Sequence, residues 1–363
     1  MSRRALLLSG SLGAGHEMAA RACATSLAAR GWGTETLDAM RLLGPKGGSA
    51  GEVVFRTMLA TPGLFDAFHF AALRPGSRLA LLADAGARRQ LVPRLRDYLD
   101  AHPADLAVSA FATAASAVSA LADRYPAMGH VVLCSDVTPH RLWVHPNVDL
   151  YLVTSAPAEA AVRRYQPRAR VRVVETPVRP GFYDPPAQEQ ARAALGLPVD
   201  EPAVLLMSGA WGLGPIAAAA AALADAGVQV LAVAGRNAKL ENRLRAAARH
   251  RSRLHVFGYT EEIPALMAAS DLVITSSGDT CAEARTVGRA LLLLDVVQGH
   301  GRDNLQHELE LGDADVTSAR PAEMVRCALA ALDRVKPPSP SAARSPATWE
   351  TAFGRALEDI GLS

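Results

Sequence analysis

Short runs of apolar, often β-branched residues recur along the chain, and most are followed by a turn and a stretch with helical spacing of its apolar positions. The runs predict buried strands at Ala5–Ser9, Leu106–Ala110, Val131–Ser135, Tyr151–Ser155 and Val171–Val174. A second series follows at Ala203–Met207, Val228–Val233, Leu254–Gly258, Leu272–Thr275 and Ala290–Leu294. Helices are expected over Glu17–Arg30, up to Tyr165, over Arg192–Leu195, across Ala217–Ala224, beyond Pro321 and over Thr348–Ile360. Alternating strands and helices imply parallel sheets. The fold class is therefore α/β with two doubly wound, Rossmann-like domains, residues 1–178 and 201–340. The proline-rich stretch 179–200 is expected to link them, and 341–363 to form a terminal helical segment after a Pro/Ser/Ala-rich connection.

Each series carries glycine-rich chemistry at its strand ends. Gly10 to His16 forms a turn into a helix, where Gly13 and Gly15 permit close approach to a ligand and His16 sits at the helix start. A histidine that merely caps its helix explains the pattern equally well. A dinucleotide fingerprint with Asp38 as ribose acceptor needs a third glycine where Met18 stands. The loop after Val131–Ser135 concentrates Asp136, His140, Trp143 and His145 where ligands of open α/β sheets bind. The structural alternatives are that Asp136 only caps and that His145 before Pro146 only fixes the loop. In the second series, Ser208–Gly214 repeats the glycine turn around Gly209, and Arg236 follows a strand end. The segment Ser276–Thr280 opens directly into a helix through Glu283. Gly278 is expected to let the backbone turn sharply, so that helix N–H groups and Thr280 meet a phosphate while Glu283 accepts from ribose hydroxyls. Gln298 to Asn304 reads as a polar loop over the ligand side, and Asp313 to Asp315 as an exposed loop without metal-binding meaning.

Composition narrows the reading. Of 363 residues, half are hydrophobic and a fifth charged, enough for two ordinary cores. A net charge of +2 with 5% aromatics argues against a nucleic-acid binder. Four cysteines without CxxC spacing suggest neither a zinc site nor a disulfide framework, and a reduced cytoplasmic compartment fits. The apolar run after Arg3 and Arg4 stops too soon for a signal peptide, and no run of roughly 20 apolar residues appears. Between Gly44 and Arg96, Val53, Val54, Met58, Leu59, Leu64, Phe65, Phe68 and Phe70 are interspersed with Arg56, Arg74, Arg78, Arg88 and Arg89. As a set they suit a surface leaning on an anionic bilayer, while each one singly suits packing against the first domain.

Gly10 to His16, Asp136 to Pro146 with Asp149 and Tyr151, and Gly278, Thr280, Glu283 and Ala284 followed by Gly299 and Asn304 occur in one order across nearly the whole chain. Together they resemble the glycosyltransferase family 28 enzymes that make monogalactosyl- and glucosyl-diacylglycerol, relatives of the transferase that adds N-acetylglucosamine to lipid I. The resemblance implies the GT-B fold, in which two Rossmann-like domains face a central cleft. It also implies a UDP-sugar donor on the second domain, a lipid acceptor reaching the first, inversion at the anomeric centre, no metal or other cofactor, and a last helix crossing back to the first domain. His16 and Asp136 become the acid/base candidates, and Gly13, Gly15, His140, Trp143 and His145 the acceptor side. Gly209, Arg236, Phe257, Gly258, Ser277, Gly278, Asp279, Thr280, Glu283, Gly299, His300 and Asn304 become the donor side. The implied location is cytoplasmic, peripheral on the inner membrane face. The chain departs from the family at Ser277 and Asp279, where a second glycine or a proline is usual. It departs again at Gln298–Gly301, where the family's Pro-Gly-Gln-Glu contacts the donor sugar, and at Glu175, where a glycine is common. A soluble acceptor, a nucleotide-sugar binder without turnover, and a UDP-sugar 2-epimerase, which would need paired carboxylates, are the competing readings.

Overall fold

The computed structural model describes residues 3–10, 14–43, 78–207, 215–296, 300–334 and 346–362. The chain forms two compact units, one of residues 1–177 with 298–300 and 346–363, the other of residues 178–297 with 301–345.

The first unit is built on six parallel strands: β1 (Arg4–Ser9), β2 (Gly33–Asp38), β3 (Leu106–Ser109), β4 (Gly129–Cys134), β5 (Leu150–Val153) and β6 (Val171–Val173). Their order is β2-β1-β3-β4-β5-β6, so the direction of winding reverses between β1 and β3. Leu6, Leu7, Leu8, Val108, Val131 and Leu152 are all buried, because helices cover both faces and leave no side for polar alternation. One face packs on α1 (Ala14–Ala29). The other packs on α2 (Ala39–Leu42), α3 (Arg78–Ala101) and α4 (Ala112–Leu121). Asp38 caps α2 by accepting from the Met40 N–H, which occupies the carboxylate weighed above as a ribose acceptor. In α3, Leu91, Leu95 and Leu99 recur every fourth residue and face the core, and Arg88 pairs with Asp84 one turn away. The apolar set Val53–Phe70, with Arg56 and Arg74, lies outside the described residues.

After β5 the chain runs through α5 (Ala156–Tyr165), capped by Ser155. The last helix, α13 (Pro346–Glu358), adds Trp349, Phe353, Ala356 and Leu357 to the core beside Cys23 and Leu27 of α1. Among the described residues, no helix is long and apolar enough to cross a membrane.

A buried polar knot ties β3 to β4. His130 is enclosed, with Nδ1 3.1 Å from the Asn147 carbonyl and Nε2 3.1 Å from Ser109 Oγ. The carbonyl can only accept, so Nδ1 carries the proton and Nε2 accepts from the hydroxyl. Burial pushes the imidazole down to about 4, against the Asn147 hydrogen bond, which favours the charged form. The unfolded chain therefore takes up a proton below its ordinary value of 6.5 and the folded chain does not until about 4. The stability that neutral His130 secures is complete above pH 6.5 and falls as pH drops to 4, by about 3 kcal/mol for this group alone. Urea unfolding at pH 7 and pH 4.5 is expected to show that loss, and His130→Gln to flatten it. An unchanged slope in the variant would assign the acid sensitivity to other groups.

The second unit repeats the architecture with β7 (Ala203–Met207), β8 (Gln229–Val233), β9 (Leu254–Phe257), β10 (Leu272–Ser276), β11 (Ala290–Leu294) and β12 (Ala314–Thr317). The order is β12-β11-β10-β7-β8-β9, reversing between β7 and β10. The covering helices are α7 (Ile216–Asp225), α8 (Ala238–Ala248), α9 (Ile263–Ala269), α10 (Asp279–Val287), α11 (His300–Glu310) and α12 (Pro321–Leu332).

Three segments differ from the sequence expectation. Residues 179–200, expected to link the domains, belong to the second unit. Phe182, Ala191 and Leu197 are buried in the core of this unit, and α6 (Gln188–Leu195) ends on the left-handed Gly196. Arg192 on α6 is buried, pairing with Asp271 at 2.7 Å and donating to the Ala269 carbonyl. The expected polar loop 298–304 is helical from His300, with Asp303 in the first turn, and an Arg285–Glu308 ion pair holds α11 to α10. Asp313–Asp315 is not wholly loop. Ala314 begins β12, an edge strand whose half-buried Asp315 pairs with Arg334, while exposed Asp313 just before it pairs with Arg285.

Candidate functional site

In each unit by itself, candidate side chains lie at the carboxyl ends of the strands, the end at which open α/β sheets bind ligands. In the first unit β1 delivers Gly10 and then α1, whose opening turn carries Gly15 and half-buried His16; Gly13 lies outside the described residues. β3 delivers Phe111, and the ring centroids of His16 and Phe111 lie 5.2 Å apart, edge to face. The Phe111 ring reaches this place because residue 10 is glycine. A Cβ there would stand 2.6 Å from Phe111 Cγ. β4 delivers Asp136, and a 3-10 turn over Arg141–Trp143 folds back so that the Trp143 indole N–H donates to Asp136 Oδ2 at 2.7 Å. The same indole lies 6.0 Å from the His16 ring, centroid to centroid.

Trp143 is only 2% exposed, so it forms the floor of the cluster rather than a surface for an acceptor. His140 caps the 3-10 turn, accepting from the Leu142 N–H. His145 is buried with Nε2 2.8 Å from the Leu142 carbonyl, while its backbone exchanges hydrogen bonds with the Tyr151 hydroxyl. This geometry accounts for His145 as a pin of the loop. Phe111 was absent from the sequence expectations, because nothing in its spacing signals contact with His16.

In the second unit, β10 runs through Ser276 into α10 with Gly278 at the N-cap. Buried Ser277, exposed Gly278 and half-buried Asp279 and Thr280 follow one another around the helix start. Gly278 has φ 173° and ψ −166°, an extended backbone open to any residue, and a Cβ there would meet nothing within 4 Å. The expected reason for this glycine, a sharp turn, is therefore not the operating one. The space beside its Cα is left open. Gly278→Ala is expected to change folding stability by less than about 0.5 kcal/mol. If a phosphate oxygen lies against the Cα, it should weaken UDP binding about tenfold or more by calorimetry. Unchanged affinity would separate this position from the anion.

Glu283 lies one turn into α10, its side chain 12% exposed. Burial pushes its carboxyl up to about 7, helped by Asp279 and opposed by Arg179. The Arg179 guanidinium stands 3.7 Å from Glu283 Oε1, a loose ion pair, and lies over the Phe182 ring at 4.8 Å. Arg179 Nε is buried without a hydrogen-bond partner. Sequence reasoning missed this arginine, since it sits in a proline-rich stretch that reads as linker.

On the same sheet edge, Arg236 follows β8 and stacks on the exposed Tyr259 ring at 4.5 Å, just past β9. Phe257 packs its half-buried ring on the core while its carbonyl accepts from the Ala234 N–H. Gly258 leaves room for the Glu241 carboxylate, 2.8 Å from where a Cβ would be. Asn304 lies within α11, and the backbone of His300 begins that helix. Gly209 and Gly299 lie outside the described residues. Among the described residues no three His, Cys, Asp or Glu side chains are grouped to hold a metal. Burial pushes the Cys281 thiol up to about 12 and the Cys134 thiol well above its usual range, so neither sulfur offers a ready nucleophile.

No family model matches the chain. A probable monogalactosyldiacylglycerol synthase of Glycine max is 34% identical over 187 residues, 48% of this chain and 35% of that protein. A processive diacylglycerol beta-glucosyltransferase of Bacillus pumilus is 30% identical over 187 residues, 50% of this chain and 49% of that protein. The chain thus spans about a third to a half of the length of these homologues. Among solved structures, Arabidopsis thaliana UGT89C1 complexed with UDP-L-rhamnose matches with TM-score 0.61 and 13% identity, over 99% of this chain and 95% of that one. UDP-GlcNAc 2-epimerase from Neisseria meningitidis bound to UDP-GlcNAc matches with TM-score 0.60 and 11% identity, over 99% and 100%. The fold is GT-B. At these identities the GT-B structures speak for the architecture alone, and the diacylglycerol glycosyltransferases are the homologues by sequence.

Proposed function

We propose that this GT-B protein transfers a sugar, with inversion, from a UDP-sugar to a lipid hydroxyl such as that of diacylglycerol. The observation that carries the reading is the identity of 34% over 187 residues shared with a monogalactosyldiacylglycerol synthase. The site geometry supports it. In the second unit the N-terminus of α10, with Ser277 and Thr280, receives the diphosphate, and the open face of Gly278 lets an oxygen approach the helix N–H groups. Glu283 accepts from the ribose hydroxyls, and Arg236 with Tyr259 and the Phe257–Gly258 backbone border the base. In the first unit His16 takes the proton of the lipid hydroxyl as its oxygen attacks the anomeric carbon. The bond to the diphosphate oxygen breaks on the opposite face, and the departing charge is met by peptide dipoles in the place of a metal ion.

An anionic bilayer on the cytoplasmic side supplies the acceptor in this reading. The segment between Gly44 and Arg96, where Arg78 and the half-exposed Leu81 and more exposed Leu82 begin α3, provides the membrane contact. Incubating the protein with a panel of UDP-sugars and a total lipid extract, with and without EDTA, and weighing the products by mass spectrometry tests the whole reading. A hexosyl-diacylglycerol is expected in both conditions. Transfer only to soluble acceptors would replace the lipid, loss of transfer in EDTA would restore a metal, and epimerised donor would replace the reaction.

A further inference from the structure

The loop after β4 holds one contact whose consequence reaches beyond the Asp136 carboxylate itself. Trp143 touches two polar members of its cluster at once: its indole N–H donates to Asp136 at 2.7 Å, and its ring lies 6.0 Å from the His16 imidazole, tilted by 46°. Trp143 is itself immobilised. It is 2% exposed, it ends a 3-10 turn capped by His140, and it packs on Val132, Cys134 and Tyr151. His16 also meets the edge-to-face ring of Phe111, which lies against Gly10. A hydrogen bond from a neutral N–H to a carboxylate is stronger than one to a carboxylic acid, and the indole offers one donor in one direction. Asp136 is therefore held as an oriented acceptor rather than left to rotate.

The geometry points to Trp143 as the positioning residue of this site: its indole ties Asp136 and His16 into one unit, Asp136 through the N–H and His16 through a tilted ring contact. Trp143 meets no substrate in this scheme and moves no proton. The kinetic part of this inference rests on the glycosyl-transfer reading, and the structural part does not. It also divides the labour between His16 and Asp136. The carboxylate receives the indole N–H and anchors the tether, and His16 is the base of the proposed reaction.

Trp143→Phe keeps a ring and deletes the N–H. It is expected to lower kcat about tenfold or more, with KM for donor and acceptor within about twofold, since the lost order matters only in the transition state. In an Asp136→Ala background the same change is expected to cost less than about twofold, because the donor's partner is already gone. An equal loss in both backgrounds, or a loss carried by KM, would reduce Trp143 to packing and overturn the proposal. A measurement free of turnover accompanies this. In 15N-labelled protein the Trp143 indole resonance, assigned by its absence in Trp143→Phe, is expected to move upfield in Asp136→Ala. The His16 ring resonances should move with it, as the untethered ring reorients. An unmoved indole resonance overturns the tether whatever the kinetics. If both resonances move but the unaltered protein transfers no sugar, the tether stands and the proposed reaction falls.

Discussion

His16→Ala is expected to lower kcat by about 10²–10⁴-fold while leaving UDP affinity within about twofold. His16 belongs to the first unit, on the opening turn of α1, and the proposed function assigns UDP to residues of the second. Under the proposed function, deleting the imidazole removes the proton acceptor for the attacking hydroxyl and touches none of the groups assigned to the diphosphate or ribose. Stability should change little, since the ring is half-buried and makes edge and tilted contacts with Phe111 and Trp143 rather than filling the core. His16→Gln, which keeps a polar side chain of similar reach but cannot take the proton, is expected to be about as slow as the alanine variant. Single-turnover rates at saturating donor, with UDP calorimetry alongside, separate the outcomes. Equal loss of turnover and of UDP binding in His16→Ala would take the residue out of proton transfer and make it a binding contact.

Much of the architecture could be read from the chain because parallel strands buried on both faces are short, wholly apolar runs. Leu6–Leu8, Val204–Leu206 and Leu272–Ile274 are such runs, and all nine residues are buried. The segments that misled are those where the same rule fails. β12 is an edge strand carrying Asp315 and an exposed Val316, so its composition resembles a loop. In the sequence Gly299, His300 and Gly301 form a turn-like triplet, yet α11 begins at His300, and the Arg285–Glu308 ion pair and Leu305 dock it. Residues 179–200 look like linker because proline removes N–H groups, whereas Phe182 and Leu197 bury enough surface to fold the stretch onto α9 and β10. Arg179 was hidden by that error. The candidate site was legible as strand-end polar clusters, but not as contacts. The link between Asp136 and Trp143 spans seven residues, and only a 3-10 turn returns the indole to the carboxylate.

Glu283→Gln is expected to make the ligand-free protein more stable and the UDP complex weaker. The carboxyl is raised to about 7 by burial, so between its ordinary value of 4.5 and 7 the folded state binds a proton that the unfolded state releases. Stability from this group is therefore complete below 4.5 and is lost as pH rises through 7, by about 3 kcal/mol at alkaline pH. A glutamine cannot ionise and escapes that loss, so thermal unfolding at pH 8 should favour the variant. The retained liability is consistent with a binding task. An ionised carboxylate accepts from both hydroxyls of a ribose, and Arg179 at 3.7 Å offsets part of its cost. From pH 6 to pH 8 the ionised fraction of a group titrating near 7 rises about tenfold, and the affinity for UDP should rise by up to about the same factor beyond any change in Glu283→Gln, whose profile isolates the ligand's own titration. Arg179→Ala, by removing the opposing cation, should move the rise to higher pH. Calorimetry across this range decides the matter: identical profiles for the unaltered protein and Glu283→Gln would place the ribose elsewhere and leave Glu283 a buried carboxyl without a ligand to serve.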